Sequence, residues 1–192
     1  MKMLRHSVHR FAELLAFLLL LPFLLWSRLP LSEFATFTAP SQWLSFIPGI
    51  TGILIRRVWY RLTLKSCGEN LTVDWLAVIR TRQSEMGSRC TLGVANWVGW
   101  VIFGDDIMTG SHVVFTSGSK QHSYDQFDRP MREQIGSKRQ IKIGSDVWVG
   151  THAVVMTDVS DGTVIGAGSV VTKTFPTLVV IAGNPAAVIK KR

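Results

Sequence analysis

Ile143-Gly-Ser-Asp-Val147-Trp, Val149-Gly-Thr-His-Ala153-Val and Val155-Met-Thr-Asp-Val159-Ser are successive blocks of six, each opening on an aliphatic residue. After a slip the pattern resumes as Ile165-Gly-Ala-Gly-Ser169-Val and Val171-Thr-Lys-Thr. Gly usually stands second, and a small or aliphatic residue stands fifth. A helix would repeat its apolar residues at three and four, and an alternating strand at two. Period six instead predicts three short strands per coil of a prism, each pointing one aliphatic residue inward. That architecture is a parallel β-helix. Gly in second place suits a corner, where the backbone turns without a side chain in the way.

The register is imperfect. Val155 to Ile165 spans ten residues rather than twelve, and Asp161-Gly162-Thr163-Val164 is expected to close the shortened coil, with Asp-Gly as its turn. Upstream, Met86, Leu92 and Val98 fall six apart, followed by Phe103, Thr109 and Phe115. The five-residue step from Val98 predicts a bulge or small excursion near Trp100. Leu71, Val73, Ala77 and Ile79 are expected in the first coil, with residues 80–85 as a turn. The pattern then breaks after Phe115 and resumes at Ile141. An interruption of about twenty-five residues in a compact repeat is usually functional.

A chain of 192 residues accommodates one domain plus an appendage. Hydrophobic content is 47%, concentrated in roughly the first sixty residues. The net charge of +8 invites a nucleic-acid partner. The cations do not interleave with aromatics along one motif, which argues against one. They cluster at Arg56-Arg57-Arg61-Lys65, Lys138-Arg139-Lys142 and Lys190-Lys191-Arg192. The first cluster adjoins an apolar segment and fits an anionic membrane surface; the other two fit solvated faces equally well. Cys67 and Cys90 have no metal-like spacing, so a reduced compartment without a disulfide framework is expected.

Residues 1–66 read as a hydrophobic, membrane-associating helical region, and 67–192 as the β-helix domain with a catalytic loop at about 116–140. Phe11 to Trp26 is almost wholly apolar, interrupted by Glu13 and Pro22. As a helix it reaches roughly 24 Å, short against a hydrocarbon core of about 30 Å. Lys2, Arg5 and Arg10 precede it, as in a signal peptide, but no small-x-small cleavage site follows. A second apolar stretch, Trp43 to Ile55, is broken by Pro48 and Gly49 and followed by Arg56 and Arg57. Basic residues flank the pair on the outside, which puts both ends on the cytoplasmic side. A shallow hairpin, a pair of interfacial helices, a single full span, and an arm packed on the β-helix or a partner subunit all remain open.

The C-terminal block, from Ile143-Gly-Ser-Asp-Val-Trp-Val-Gly through Val164-Ile-Gly-Ala-Gly-Ser-Val-Val-Thr-Lys173 to Ala182-Gly-Asn-Pro-Ala186, resembles the hexapeptide-repeat acyltransferases. Within them it is most similar to the sugar O-acetyltransferases of polysaccharide, capsule and O-antigen biosynthesis. The resemblance covers roughly residues 67–192, and its most specific parts are Val-Val-Thr-Lys and Gly-Asn-Pro-Ala. It implies a left-handed coil, against the usual right-handed crossover, with a short C-terminal helix. It also implies a homotrimer with active sites between neighbouring prisms, acetyl-CoA as co-substrate, no metal, and a lipid-linked or nucleotide-linked sugar as acceptor. A cytoplasmic active site at the inner face of the membrane follows from that donor.

Acetyl transfer to a hydroxyl needs a base, and a histidine titrates near working pH. The excursion reads Ser117-Gly-Ser-Lys-Gln-His122-Ser-Tyr124, then Asp125 to Pro130 and Gln134. This is similar to the family's catalytic segment and makes His122 the general base. Relatives often carry Asn or His just before that position, where this chain has Lys120 and Gln121. A slip of two would put Lys120 in the catalytic place. Thr151, Ala167, Thr172, Lys173 and Lys190 match positions that touch acetyl-CoA in the family. Gly150 and Gly166 are expected to offer backbone N–H groups to the pantetheine or the thioester oxygen. Trp148 matches a tryptophan near the catalytic loop, or simply packs. His112 and His152 take fourth places in their hexapeptides and read as solvated or interface residues. The trimeric carbonic anhydrases of this fold need a His-x4-His pair that the chain lacks. A catalytically degenerate scaffold and an N-acyltransferase acting on an amino sugar are the alternatives.

Overall fold

The computed structural model describes residues 2–192, with side chains from residue 12 onward. The side chains of Lys2, Arg5, His6, His9 and Arg10, the basic flank, therefore lie outside the described residues. Residues 66–171 wind through three parallel sheets in strict rotation. The first sheet holds β1 (Ser66–Cys67), β4 (Glu85–Met86), β7 (Val101–Phe103) and β10 (Ile141–Ile143). The second holds β2 (Thr72–Val73), β5 (Thr91–Leu92), β8 (Met108–Thr109), β11 (Trp148–Val149) and β13 (Val164–Ile165). The third holds β3 (Val78–Ile79), β6 (Trp97–Val98), β9 (Val114–Phe115), β12 (Val154–Val155) and β14 (Val170–Val171). Consecutive strands always lie on different faces, which makes the coil a parallel β-helix. The last residue of each strand points inward, and columns such as Ile79, Val98, Phe115, Val155 and Val171 fill a continuous core. Thr109 is the polar member of its column, and its hydroxyl bonds the buried Asn96 side chain and donates to the Thr91 carbonyl.

Two corners of this prism keep strict time. From the first sheet to the second, and from the second to the third, inward residues are always six apart, as in Cys67, Val73 and Ile79 or Ile143, Val149 and Val155. The third corner is irregular in every coil. Ile79 to Met86 is seven residues, Val98 to Phe103 five, Phe115 to Ile143 twenty-eight, and Val155 to Val159 four. The shortened coil is therefore cut between Val155 and Val159, where Val159 bridges Ile143, and not at Asp161–Val164. Near Trp100 the chain makes a tight corner rather than a bulge, with β7 starting at Val101.

The reason for Gly in second place also changes. A Cβ on Gly150 would lie 2.4 Å from the Ala167 nitrogen of the next coil, so Gly permits the coils to stack. The left-handed conformation falls two residues later, at the fourth place: Asp106, His112, Asp146 and His152 have φ of 59°, 59°, 55° and 61°. Short polar side chains tolerate that region best.

The C-terminal residues form no helix. β15 (Val179–Gly183) and β16 (Ala186–Lys191) make an antiparallel hairpin on the second sheet. Val188 and Ile189 are β-branched, and the open edge of β13 offers unpaired backbone groups for β15 to pair with.

The other end of the coil is closed by helices. α1 (Lys2–Trp26) packs on α3 (Gly49–Thr63), and a π-helical turn at Phe34–Thr38 leads into α2 (Ala39–Ser45). α3 covers the raw edge of the first coil with side-chain hydrogen bonds. Arg56 Nε donates to Val73 O at 2.9 Å, Arg57 Nε to Leu71 O at 2.7 Å, and the Tyr60 hydroxyl accepts from Ile79 N–H at 3.0 Å. Arg56 Nη1 also reaches Leu44 O in the last turn of α2 and Ile47 O just beyond it, at 2.9 and 2.7 Å. Arg56 is fully buried. Arg61 pairs with Glu13 at 3.6 Å, and Lys65 with Glu85 at 2.7 Å. The cluster read as a membrane-facing set of cations is thus engaged within the fold. No helix among the described residues is long and apolar enough to cross a membrane.

Candidate active site

The excursion 116–140 leaves from the irregular corner as two antiparallel arms. Ser137 N–H donates to Lys120 O at 2.6 Å, Arg139 N–H to Ser117 O at 3.0 Å, and His122 bridges Ile135. Gly136 makes the close approach possible, because a Cβ there would sit 2.2 Å from Gln121 O and 2.4 Å from His122 N. The distal turn is held by Gln134. Its buried amide accepts from Gln126 N–H at 3.1 Å and donates to Gln126 O and Arg129 O at 2.7 and 3.2 Å. The base is fixed by Arg139, whose Nη1 contacts both Asp158 oxygens at 3.0 and 3.2 Å and whose Nη2 donates to Thr157. Asp158 lies in the shortened segment, so the missing residues of that coil bring an anchor under the loop.

His122 is exposed at the end of the first arm, in a cleft of about 340 Å³ with Lys120, Tyr124, Asp125, Ile135 and Ser137. Lys120 and His122 face this cleft, while Gln121 between them faces a second one on the other side. The loop is apolar where it is most exposed: Phe127 is 100% and Ile135 94% accessible.

The residues matched to a carrier do not converge on His122 within one chain. Thr151 and Ala167 sit on the corner between the second and third sheets, Thr172 and Lys173 on the irregular corner after β14, and Lys190 on β16 beside Val180. Lys173 Nζ rests over the Phe175 ring at 5.6 Å. Trp148 is 53% exposed on the outer face of the second sheet, the face opposite the corner that launches the loop. The expected amide donors are already engaged within the coil. Gly150 N–H and Gly166 N–H are taken by Ile165 O and Ile181 O at 2.7 and 2.8 Å. The N–H groups of Thr151 and Ala167 donate to no acceptor among the described residues. His112 and His152 stack at 4.9 Å on the same corner. Burial pushes the Cys67 thiol up to about 11 and raises that of Cys90, so neither carries a thiolate near neutral pH.

Comparison with known proteins bears on this geometry. No protein-family model matches the chain. Over 53 residues, 27% of the chain and 26% of the relative, it is 51% identical to galactoside O-acetyltransferase of Escherichia coli (strain K12). Over 65 residues, 33% of the chain and 36% of the relative, it is 42% identical to a probable macrolide acetyltransferase of Lysinibacillus sphaericus. Over these segments the chain is similar to named acetyltransferases. The matched segments span only a quarter to about a third of these relatives. The fold likeness of this hexapeptide-repeat chain extends further. A galactoside acetyltransferase solved in complex with coenzyme A superposes with a TM-score of 0.56, covering 80% of the chain and 78% of that structure at 22% identity.

Gln134, Gly136 and the Arg139–Asp158 pair are site residues that the repeat pattern did not mark. Gln134 acts within the distal turn, whereas Gly136 and the Arg139–Asp158 pair act between segments fourteen and nineteen residues apart.

Proposed function

We propose that the chain moves an acetyl group from acetyl-CoA to a sugar hydroxyl, with His122 as general base, at the cytoplasmic face of a membrane. The placement of His122 carries this reading. It stands at the exposed end of an arm fixed by Gln134, Gly136 and Arg139, on a coil whose free Thr151 and Ala167 amides match carrier positions. The named activities of the relatives support the acyl donor and the sugar class.

In the reaction a ring nitrogen of His122 takes the hydroxyl proton as the sugar oxygen attacks the thioester carbonyl. A free backbone N–H such as that of Thr151 or Ala167 stabilises the oxyanion. The C–S bond then breaks, CoA leaves as thiolate, and the imidazolium returns the proton to sulfur. The products are an acetyl ester and CoA thiol. Thr172, Lys173 and Lys190 serve the carrier, the lysines as mobile charges for its phosphates.

Because His122 and Trp148 lie on opposite sides of one prism, the site is completed by another copy of the chain, with the apolar loop end of one copy against a neighbouring coil. Three copies close such a ring. The helices α1 to α3 place the assembly on the lipid surface.

His122→Ala tests the core of the reading. Turnover of acetyl-CoA with a sugar acceptor should fall by roughly 10²–10⁴, with acetyl-CoA affinity unchanged by calorimetry. Undiminished turnover would remove His122 as the base.

A further inference from the structure

A second cleft, of about 490 Å³, opens on the other side of the loop arm, between the π-helical turn and the irregular corner. Trp97 and Trp100 line it together with Arg80, the loop residues Gln121 and Lys138, and Phe34 of the N-terminal arm. Arg80 carries its guanidinium over the Trp97 ring at 4.2 Å, and its buried Nε has no hydrogen-bond partner. None of its guanidinium nitrogens meets an acceptor or carboxylate among the described residues. The neighbouring Arg82 differs, donating to Ser27 O and the Thr36 hydroxyl. Trp100 Nε1 is likewise buried without an acceptor.

Lys138 has no carboxylate partner among the described residues either. Glu33 is the single carboxylate on the lining, and it already accepts from the Thr81 hydroxyl and Arg82 N–H, both at 2.8 Å. The cleft therefore presents two cations without a carboxylate partner among the described residues, beside aromatic rings. An occupant must bring several acceptor oxygens, negative charge and an apolar face. A planar guanidinium and an ammonium together suit phosphate oxygens, and an indole suits the C–H face of a pyranose.

We propose that this cleft holds the phosphate of a glycosyl phosphate, with Arg80 and Lys138 on the phosphate and Trp97 and Trp100 against the sugar. The site is separate from the carrier positions, and the loop arm that forms its wall ends in His122. Phe34, more than half exposed, stands at its margin on the apolar N-terminal arm. The inference rests on the acetyl-transfer reading for what happens to the sugar, not for its binding.

Calorimetry on the full chain in detergent, without acetyl-CoA, separates the two. α-D-glucose 1-phosphate should bind at least tenfold more tightly than methyl α-D-glucoside. Arg80→Met and Lys138→Met should each weaken the phosphate ligand by about tenfold and leave the glucoside and acetyl-CoA unaffected. Arg80→Lys should restore part of the affinity in a protein with unchanged melting. A nucleotide-linked hexose and a polyprenyl-phosphate-linked hexose then distinguish the two sources of that phosphate, and tight binding of either supports the site. Equal affinity for phosphate and glucoside, or an Arg80→Met protein that melts normally and binds the phosphate unchanged, overturns it. Phosphate binding without acetyl-CoA binding would instead sink the transfer reading and leave this site standing.

Discussion

Gly136 lies directly behind the His122 backbone, where even a methyl group finds no room. The contact is with main-chain atoms, so no flexible side chain can swing away to admit it. Gly136→Ala must therefore push the two loop arms apart and carry His122 with them. A displacement near 1 Å at a reacting group can cost about a hundredfold in rate. The expected outcome is a kcat lowered at least tenfold, with the melting temperature and acetyl-CoA affinity close to wild type. A normal kcat would mean that the arm is not the rigid support described above. A reading of hexapeptides cannot find this glycine. It belongs to no repeat, and its partner lies fourteen residues away across the arms.

At the scale of elements, α3 performs the work of a terminal cap. The first coil of a β-helix exposes a row of backbone groups that would pair with any stray strand. Arg56, Arg57 and Tyr60 answer that row from one helix face. Replacing Arg56 with Leu takes the guanidinium donor from the carbonyls of Val73 and Ile47, each worth on the order of 1–3 kcal/mol. Denaturant unfolding should show a loss of at least about 2 kcal/mol, and Arg56→Lys should recover little because an ammonium lacks the fork. A change below about 0.5 kcal/mol would show that water replaces the guanidinium. The period-six columns were legible because each inward residue answers only to its own coil, and the excursion 116–140 because it interrupts them. Arg56 was not: an arginine after an apolar run looks the same whether it meets lipid phosphates or backbone carbonyls. The C-terminal strand was missed for a related reason, since Val188 and Ile189 take their form from the free edge of the second sheet.

Across the whole molecule, α1 has two apolar sides. Ala16 and Leu20 are buried in the core, whereas Leu14, Leu15, Leu18, Leu19 and Leu25 are exposed. A helix apolar on its outer side as well calls for a nonaqueous neighbour, and we propose a lipid interface for it. The chain should float with phosphatidylglycerol-containing vesicles on a density gradient. Leu18→Glu with Leu19→Glu should leave it at the bottom of the gradient while acetyl-CoA affinity persists. Flotation of the double variant would assign those leucines to contacts between protein copies.

The unequal corners of the prism have a consequence for how such a chain can change over generations. One residue added at either strict corner would turn every later side chain of that coil inside out. At the irregular corner the same addition lengthens a loop, and each doubling of a loop costs only about 0.6 kcal/mol. Heritable variation in length is therefore channelled to one edge of the scaffold. His122, Arg139 with Asp158, and Arg80 all stand on that edge, so new chemistry can be tried there without renegotiating the core.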